Sequence, residues 1–197
     1  MNWKRTACEV LLWGVVLLPS AGWAQNPGHS SIPPELYEFR FAGAGLVCVT
    51  PAEEGKPPPE NYDQCLRIGP IQVHQEEAKV RALLGKPFRE LNAGDGTRLL
   101  VFPLPEFKNE IPYYVIGFRE KRVVSIQLTG IHNGREDAFS SIRLGDPEKK
   151  VLLILGHPRK KSDVKDVSAI LWDYVPYPIS IEFKESRVFS MRVALPK

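Results

Sequence analysis

Four histidines, three cysteines and a scatter of carboxylates are the side chains of this chain that could do chemistry. A metal centre wants ligands at recurring spacings, such as two histidines four residues apart on a helix or a Cys-x-x-Cys pair. His29, His74, His132 and His157 follow no such pattern, and each is expected as a surface or capping residue. Acyl transfer wants a nucleophile on a Gly-x-Ser-x-Gly turn, and phosphate chemistry a glycine-rich loop between strand and helix. The sequence has neither, and "NAGDGT" (Asn92 to Thr97) reads as a turn feeding a strand. Glu53, Glu54, Asp137 and Asp146 fall on loops or helix starts, where solvation or capping accounts for them. The expectation is a protein that is not an enzyme and holds no cofactor or metal. The alternative is a small envelope hydrolase or ligand-binding protein whose site forms only in three dimensions.

Charge gives little direction to partners. Among 197 residues, 26 basic side chains face 23 acidic ones, and 43% of residues are apolar, enough for one large or two small globular units. The basic run "HPRKKSDVK" (His157 to Lys165) is broken by Asp163 and contains no aromatic, so it reads as a solvated loop between helix and strand and not as a nucleic-acid surface.

Residues 1–24 have the order of a secretory signal peptide: Lys4 and Arg5, an apolar run from Val10 to Leu18, then small residues ending at Ala24. The run is half of the ~20 residues a membrane span needs, so an uncleaved anchor is the weaker reading. Cys8 lies ahead of the run, and no small-residue–Cys lipidation site follows it. A periplasmic or secreted location with no membrane span is expected. In that oxidising setting Cys48 and Cys65 are expected to pair across the Pro-rich "VTPAEEGKPPPENYDQ", with two buried free thiols as the competing reading.

The elements that must carry any site emerge from an internal correspondence. "IQVHQEEAKVRALLGKP" from Ile71 matches "IRLGDPEKKVLLILGHP" from Ile142 without a gap. Val80, Leu83 and Leu84, like Val151, Ile154 and Leu155, have the spacing of one apolar helical stripe. Asp146 is placed to cap the second helix, and Gly85 and Gly156 with Pro87 and Pro158 are placed to end both. Further on, "YVIGFREKRVVSIQL" from Tyr114 matches "ISIEFKESRVFSMRV" from Ile179, each reading as a hairpin. "TRLLVF" and "AILWDY" add one strand apiece.

The predicted fold class is therefore α+β: two tandem helix-plus-antiparallel-meander repeats packed side by side, whose sheets could join into one curved surface. The expected organisation is a signal peptide at 1–24, an extension with strands and a Pro-rich loop at 25–63, repeat 1 at 64–130 and repeat 2 at 131–197.

An aromatic-x-x-Ile-x-apolar-Gly motif, a helix containing Val and a Leu-Gly-x-Pro stop stand here as "FSSIRLGDPEKKVLLILGHP" from Phe139. This resembles the motif of the β-lactamase-inhibitor-protein-like fold superfamily. That group includes tandem-repeat β-lactamase inhibitors and the small lipoprotein of the outer-membrane β-barrel assembly machinery. The resemblance covers Leu66 to Val193. It implies a protein-binding scaffold, but the helix-start signal is altered to "HQE" and "GDP". No lipidation cysteine is present, and both candidate disulfide cysteines precede the first helix, so neither relative's specific function carries over.

The function expected is an exported, non-catalytic protein-binding module of the cell envelope, acting as inhibitor, adaptor or assembly accessory on another envelope or secreted protein. Its predicted surface is the outer register of the hairpins, including Tyr113 and Val115, with Trp172, Tyr174 and Tyr177 beside it as aromatic anchors. Mass spectrometry of the protein purified from its native envelope should find Gln25 at its start; a full-length cytoplasmic product contradicts export.

Overall fold

Short runs of alternating apolar and polar residues, broken by tight turns, build most of the described structure. The computed structural model describes residues 37–49, 62–104, 112–131 and 137–196. The hairpin of β1 (Glu38–Phe41) and β2 (Leu46–Val49) is followed by the two-residue strands β3 (Arg67–Ile68) and β4 (Ile71–Gln72). Helix α1 (Glu77–Leu84) leads into β5 (Arg89–Asn92), β6 (Arg98–Pro103), β7 (Tyr113–Arg119) and β8 (Arg122–Thr129). The pair β9 (Ala138–Phe139) and β10 (Ile142–Arg143) precedes α2 (Glu148–Leu155), β11 (Lys160–Val164), β12 (Ala169–Asp173), β13 (Ile179–Lys184) and β14 (Arg187–Ala194).

This architecture corrects the expected α+β class and its two side-by-side helix-plus-meander repeats. Among the described residues 49% are strand and 16% helix. One eight-stranded antiparallel sheet runs in the order β11-β12-β13-β14-β8-β7-β6-β5. Two facts explain the difference. β8 and β14 pair directly, from Ser190 opposite Thr129 to Ala194 opposite Ser125, so the two meanders lose their separate boundaries. Lys160–Val164, within the stretch expected as a loop, also pairs, and it and Arg89–Asn92, to which the sequence pattern assigns no element, are the two edge strands of the sheet. Charged edges of this kind resist pairing with another chain.

Register fixes what is buried. Phe102, Tyr114, Leu128, Met191, Ile181 and Trp172 lie opposite one another in a row across six strands, and all are buried. A second buried row joins Leu100, Ile116, Ile126, Val193 and Ile179. Side chains alternate between faces along a strand, so these rows define one covered face of the sheet.

Hairpin turns satisfy the helix starts. The main-chain N–H of Glu77 donates to Lys121 O (2.9 Å) and that of Glu148 to Ser186 O (3.3 Å). Asp146, expected as the cap of α2, instead accepts from the main-chain N–H of Arg143 and from Lys150 Nζ, both at 2.7 Å. Pro147 itself holds the extended cap position, which leaves Asp146 outside the helix.

The two apolar stripes fare differently. Val151, Ile154 and Leu155 are all buried, whereas Val80 is buried and Leu83 is 53% exposed. β1 packs against α2, and among the described residues α1 has no such cover. The contact with α2 is close: at Gly156, where φ is +70°, a Cβ would come 2.7 Å from the ring of Phe41. Gly156 is thus required both by backbone conformation and by the approach of β1.

Cys48 and Cys65 form a disulfide, and both are buried. It ties β2 to the segment before β3. Nearby, the Phe39 N–H donates to Ser140 Oγ at 2.9 Å, and the Phe39 ring lies 6.0 Å from those of Tyr62 and Phe139. No helix among the described residues is long and apolar enough to cross a membrane.

Removing the disulfide by Cys65→Ser should lower the unfolding free energy by ~3 kcal/mol, the loop-closure value for a ring of this size, measured by urea denaturation. Val151→Asp should cost several kcal/mol more than Leu153→Asp, since the first buries an unpaired charge and the second sits 82% exposed on the same helix. Equal loss from both variants would contradict the packing of α2.

Candidate functional site

The face of the sheet opposite the core carries the residues expected to form a surface. Across strands, Val101, Val115, Gln127, Arg192, Ser180 and Asp173 stand opposite one another in turn. A parallel row runs Pro103, Tyr113, Thr129, Ser190, Glu182 and Leu171. On these rows Pro103, Tyr113 and Arg192 are exposed, whereas Thr129 and Ser190 are buried. Tyr113 is exposed and Val115 half-buried, so this part of the expected site is brought together by the hairpin register.

Trp172, Tyr174 and Tyr177 are placed elsewhere. Trp172 pairs with Ile181 in the buried row, 4.3 Å from the Phe183 ring by centroids, with Lys161 Nζ 4.0 Å above it. Tyr174 is buried, and its hydroxyl donates to Gly156 O at 3.3 Å. Burial holds that hydroxyl well above the ordinary tyrosine range. Tyr177 is half-buried, and its hydroxyl accepts the Leu46 N–H at 3.1 Å. These three aromatics anchor the N-terminal hairpin and the core, and do not form an exposed edge. "AILWDY" is apolar at both parities, so alternation alone could not tell which of its residues face inward.

At the β8–β14 seam this face is polar, with half-buried Gln127 above the buried hydroxyls of Thr129 and Ser190. Gln127 Nε2 donates to Thr129 Oγ1 (3.1 Å) and to Ser190 Oγ (3.0 Å), and those two hydroxyls lie 3.0 Å apart. Glu182 stands opposite Ser190 on the neighbouring strand. Partial burial raises its carboxyl above the usual range, against the opposite pulls of the Ser190 hydroxyl and the Arg192 charge. Toward β5, β6 and β7 the face becomes apolar, with Leu91, Leu99, Val101, Val115 and Tyr113. Sequence reasoning missed Leu91, Leu99 and Val101, because β5 was not recognised as a strand and β6 was not assigned a register.

His74, Glu76 and Glu77 have structural partners. His74 is exposed, with Nε2 2.9 Å from the Asp63 carboxylate. It takes a positive φ of 65°, as Gly145 does at 82°, and each carbonyl accepts from an arginine, Arg122 and Arg187 respectively, at 3.0 Å. The groove beside α1 is lined by charges that answer one another: Glu77 accepts from both Arg81 and Arg98, and Glu76 lies 3.7 Å from Arg122. His29, His132, Glu53 and Glu54 lie outside the described residues. Among the described residues, no group of three or more His, Cys, Asp or Glu comes together to hold a metal.

The chain matches no protein-family model and no curated protein. Among solved structures it is similar to a cysteine-rich secretory protein from Staphylococcus aureus, at 18% identity and a TM-score of 0.42 over 62% of this chain and 44% of that one. It is also similar to a DUF4309 family protein from Bacillus subtilis, at 13% identity and a TM-score of 0.41 over 64% of this chain and 83% of that one. This chain therefore spans less than half the length of the Staphylococcus structure.

A carboxyl raised by folding favours the fold below its unfolded range and loses that advantage as pH rises through its folded value. Ionised Glu182 thus costs stability at neutral pH. Glu182→Gln should melt above the parent at pH 7, with the gap closing below pH ~4, where the parent carboxyl is protonated in both states. A gap independent of pH would mean that burial of Glu182 does not act through its charge.

Proposed function

We propose that this chain is an exported, non-catalytic protein-binding module of the cell envelope, periplasmic or secreted, that holds another envelope or secreted protein on the open face of its sheet. One observation carries the reading: on the outer register of a single eight-stranded sheet, exposed Tyr113 and half-buried Val101 and Val115 form an apolar patch beside half-buried Gln127, whose amide is fixed by the buried hydroxyls of Thr129 and Ser190. Protein interfaces have this anatomy, an apolar centre with aromatic residues and a polar border that sets orientation. The Cys48–Cys65 disulfide suits an oxidising compartment, and the order of blocks in residues 1–24 suits export. The motif from Phe139 supports kinship with the β-lactamase-inhibitor-protein-like superfamily as part of the same proposal.

Crosslinking and pull-down of the tagged protein from its own envelope identifies the partner, and variants then locate the contact. Tyr113→Ala should weaken the complex by ~2 kcal/mol, as truncation of an interface aromatic does, and Val115→Asp should weaken it further, with melting temperatures close to the parent. Undiminished affinity in both variants would move the interface off this face.

A further inference from the structure

We infer that a pocket between the β1–β2 hairpin, the end of α2 and the turn after β12 binds the C-terminal residue of a polypeptide, reading an apolar side chain together with its free carboxylate. The cavity measures about 250 Å3. That is below the ~300–1,000 Å3 of pockets that enclose a drug-sized molecule, and it suits a single large side chain. Leu46, Leu155 and Tyr174 are buried residues that form its inner wall.

Charge selects the other half of the ligand. His157 and Arg159 line the same cavity, and among the described residues no acidic side chain does. Neither side chain has a hydrogen bond or ion pair among the described residues, although the Arg159 main-chain N–H is fixed on Asp173 O at 2.9 Å. Tyr174 holds the Gly156 carbonyl, so the chain leaving α2 is set in place just where His157 follows. The helix end opposes an anion with roughly half an elementary negative charge, which the full charge of Arg159 outweighs. A guanidinium and an imidazole at the mouth of an apolar pocket are complementary to a carboxylate on an apolar body.

The rim favours a chain end over a free small acid. Phe41 and Val175 line the cavity yet remain 47% and 60% exposed. They extend the apolar surface beyond the cavity to where the residues preceding a C-terminal one would lie. Elements packed on the covered side of the sheet build this site, so it is separate from the open face.

The test uses the purified protein and a fluorescent hexapeptide ending in phenylalanine, as free acid and as C-terminal amide, with phenylacetate as competitor. The acid should bind saturably and the amide at least about tenfold more weakly, the loss expected for a charge-assisted contact. Arg159→Gln should bring the acid down to the level of the amide, and Val175→Asp should weaken the acid peptide; both sites are exposed, so melting temperatures should hold. No saturable binding, equal binding of acid and amide, or an unchanged ratio in Arg159→Gln would overturn the inference. Phenylacetate binding as tightly as the peptide would overturn the choice of a chain end. Tyr113→Ala and Val115→Asp should leave peptide affinity unchanged, so failure here and failure of the sheet-face reading are told apart.

Discussion

The pairing of β8 with β14 is the contact on which the rest of the molecule depends. It joins residues some sixty positions apart, Thr129 to Ser190 and Ile126 to Val193, and makes one sheet out of two meanders. Each meander alone would expose a long inner edge with unpaired main-chain groups, and a small core to bury against it. Joined, their buried rows become continuous from Phe102 to Trp172. The same pairing turns Gln127, Ser190 and Arg192 to the other side. Core and open face are two consequences of one register.

The covered face is then closed asymmetrically. β1 lies on α2, with Phe41 against Gly156 and Phe39 among Tyr62, Phe139 and Tyr177. The disulfide holds the second strand of that hairpin to the segment leading into β3. This closure buries the whole apolar stripe of α2 and leaves Leu83 of α1 in solvent. It also creates the pocket bounded by Phe41 and Tyr177. A single N-terminal hairpin thus supplies stability at one end of the sheet and a concave surface beside it.

The hairpins β7–β8 and β13–β14, both helices with their glycine stops and the cysteine pair were legible in the sequence, because each is set by neighbours a few residues apart: alternation, the 3.6-residue period, turn chemistry and compartment. The edge strands β5 and β11 were not. "RELN" and "KKSDV" lack an apolar period, and only a partner strand supplies the hydrogen bonds that make them extended. The outer-face positions of Tyr113 and Val115 followed from hairpin register. The burial of Trp172 and Tyr174 did not, since a strand apolar on both sides has no preferred face until a neighbour is chosen.

Class and surface therefore separate. Local spacing was sufficient for the helices and hairpins, but not for the edge strands or for the division of the chain into two repeats. Whether they stay two units or become a single sheet depends on the contact between β8 and β14, whose strength lies in hydrogen bonds and side-chain rows between distant segments and leaves no periodic trace in either one. For the same physical reason, the open face and the pocket under the N-terminal hairpin exist only once residues far apart in the chain are brought together.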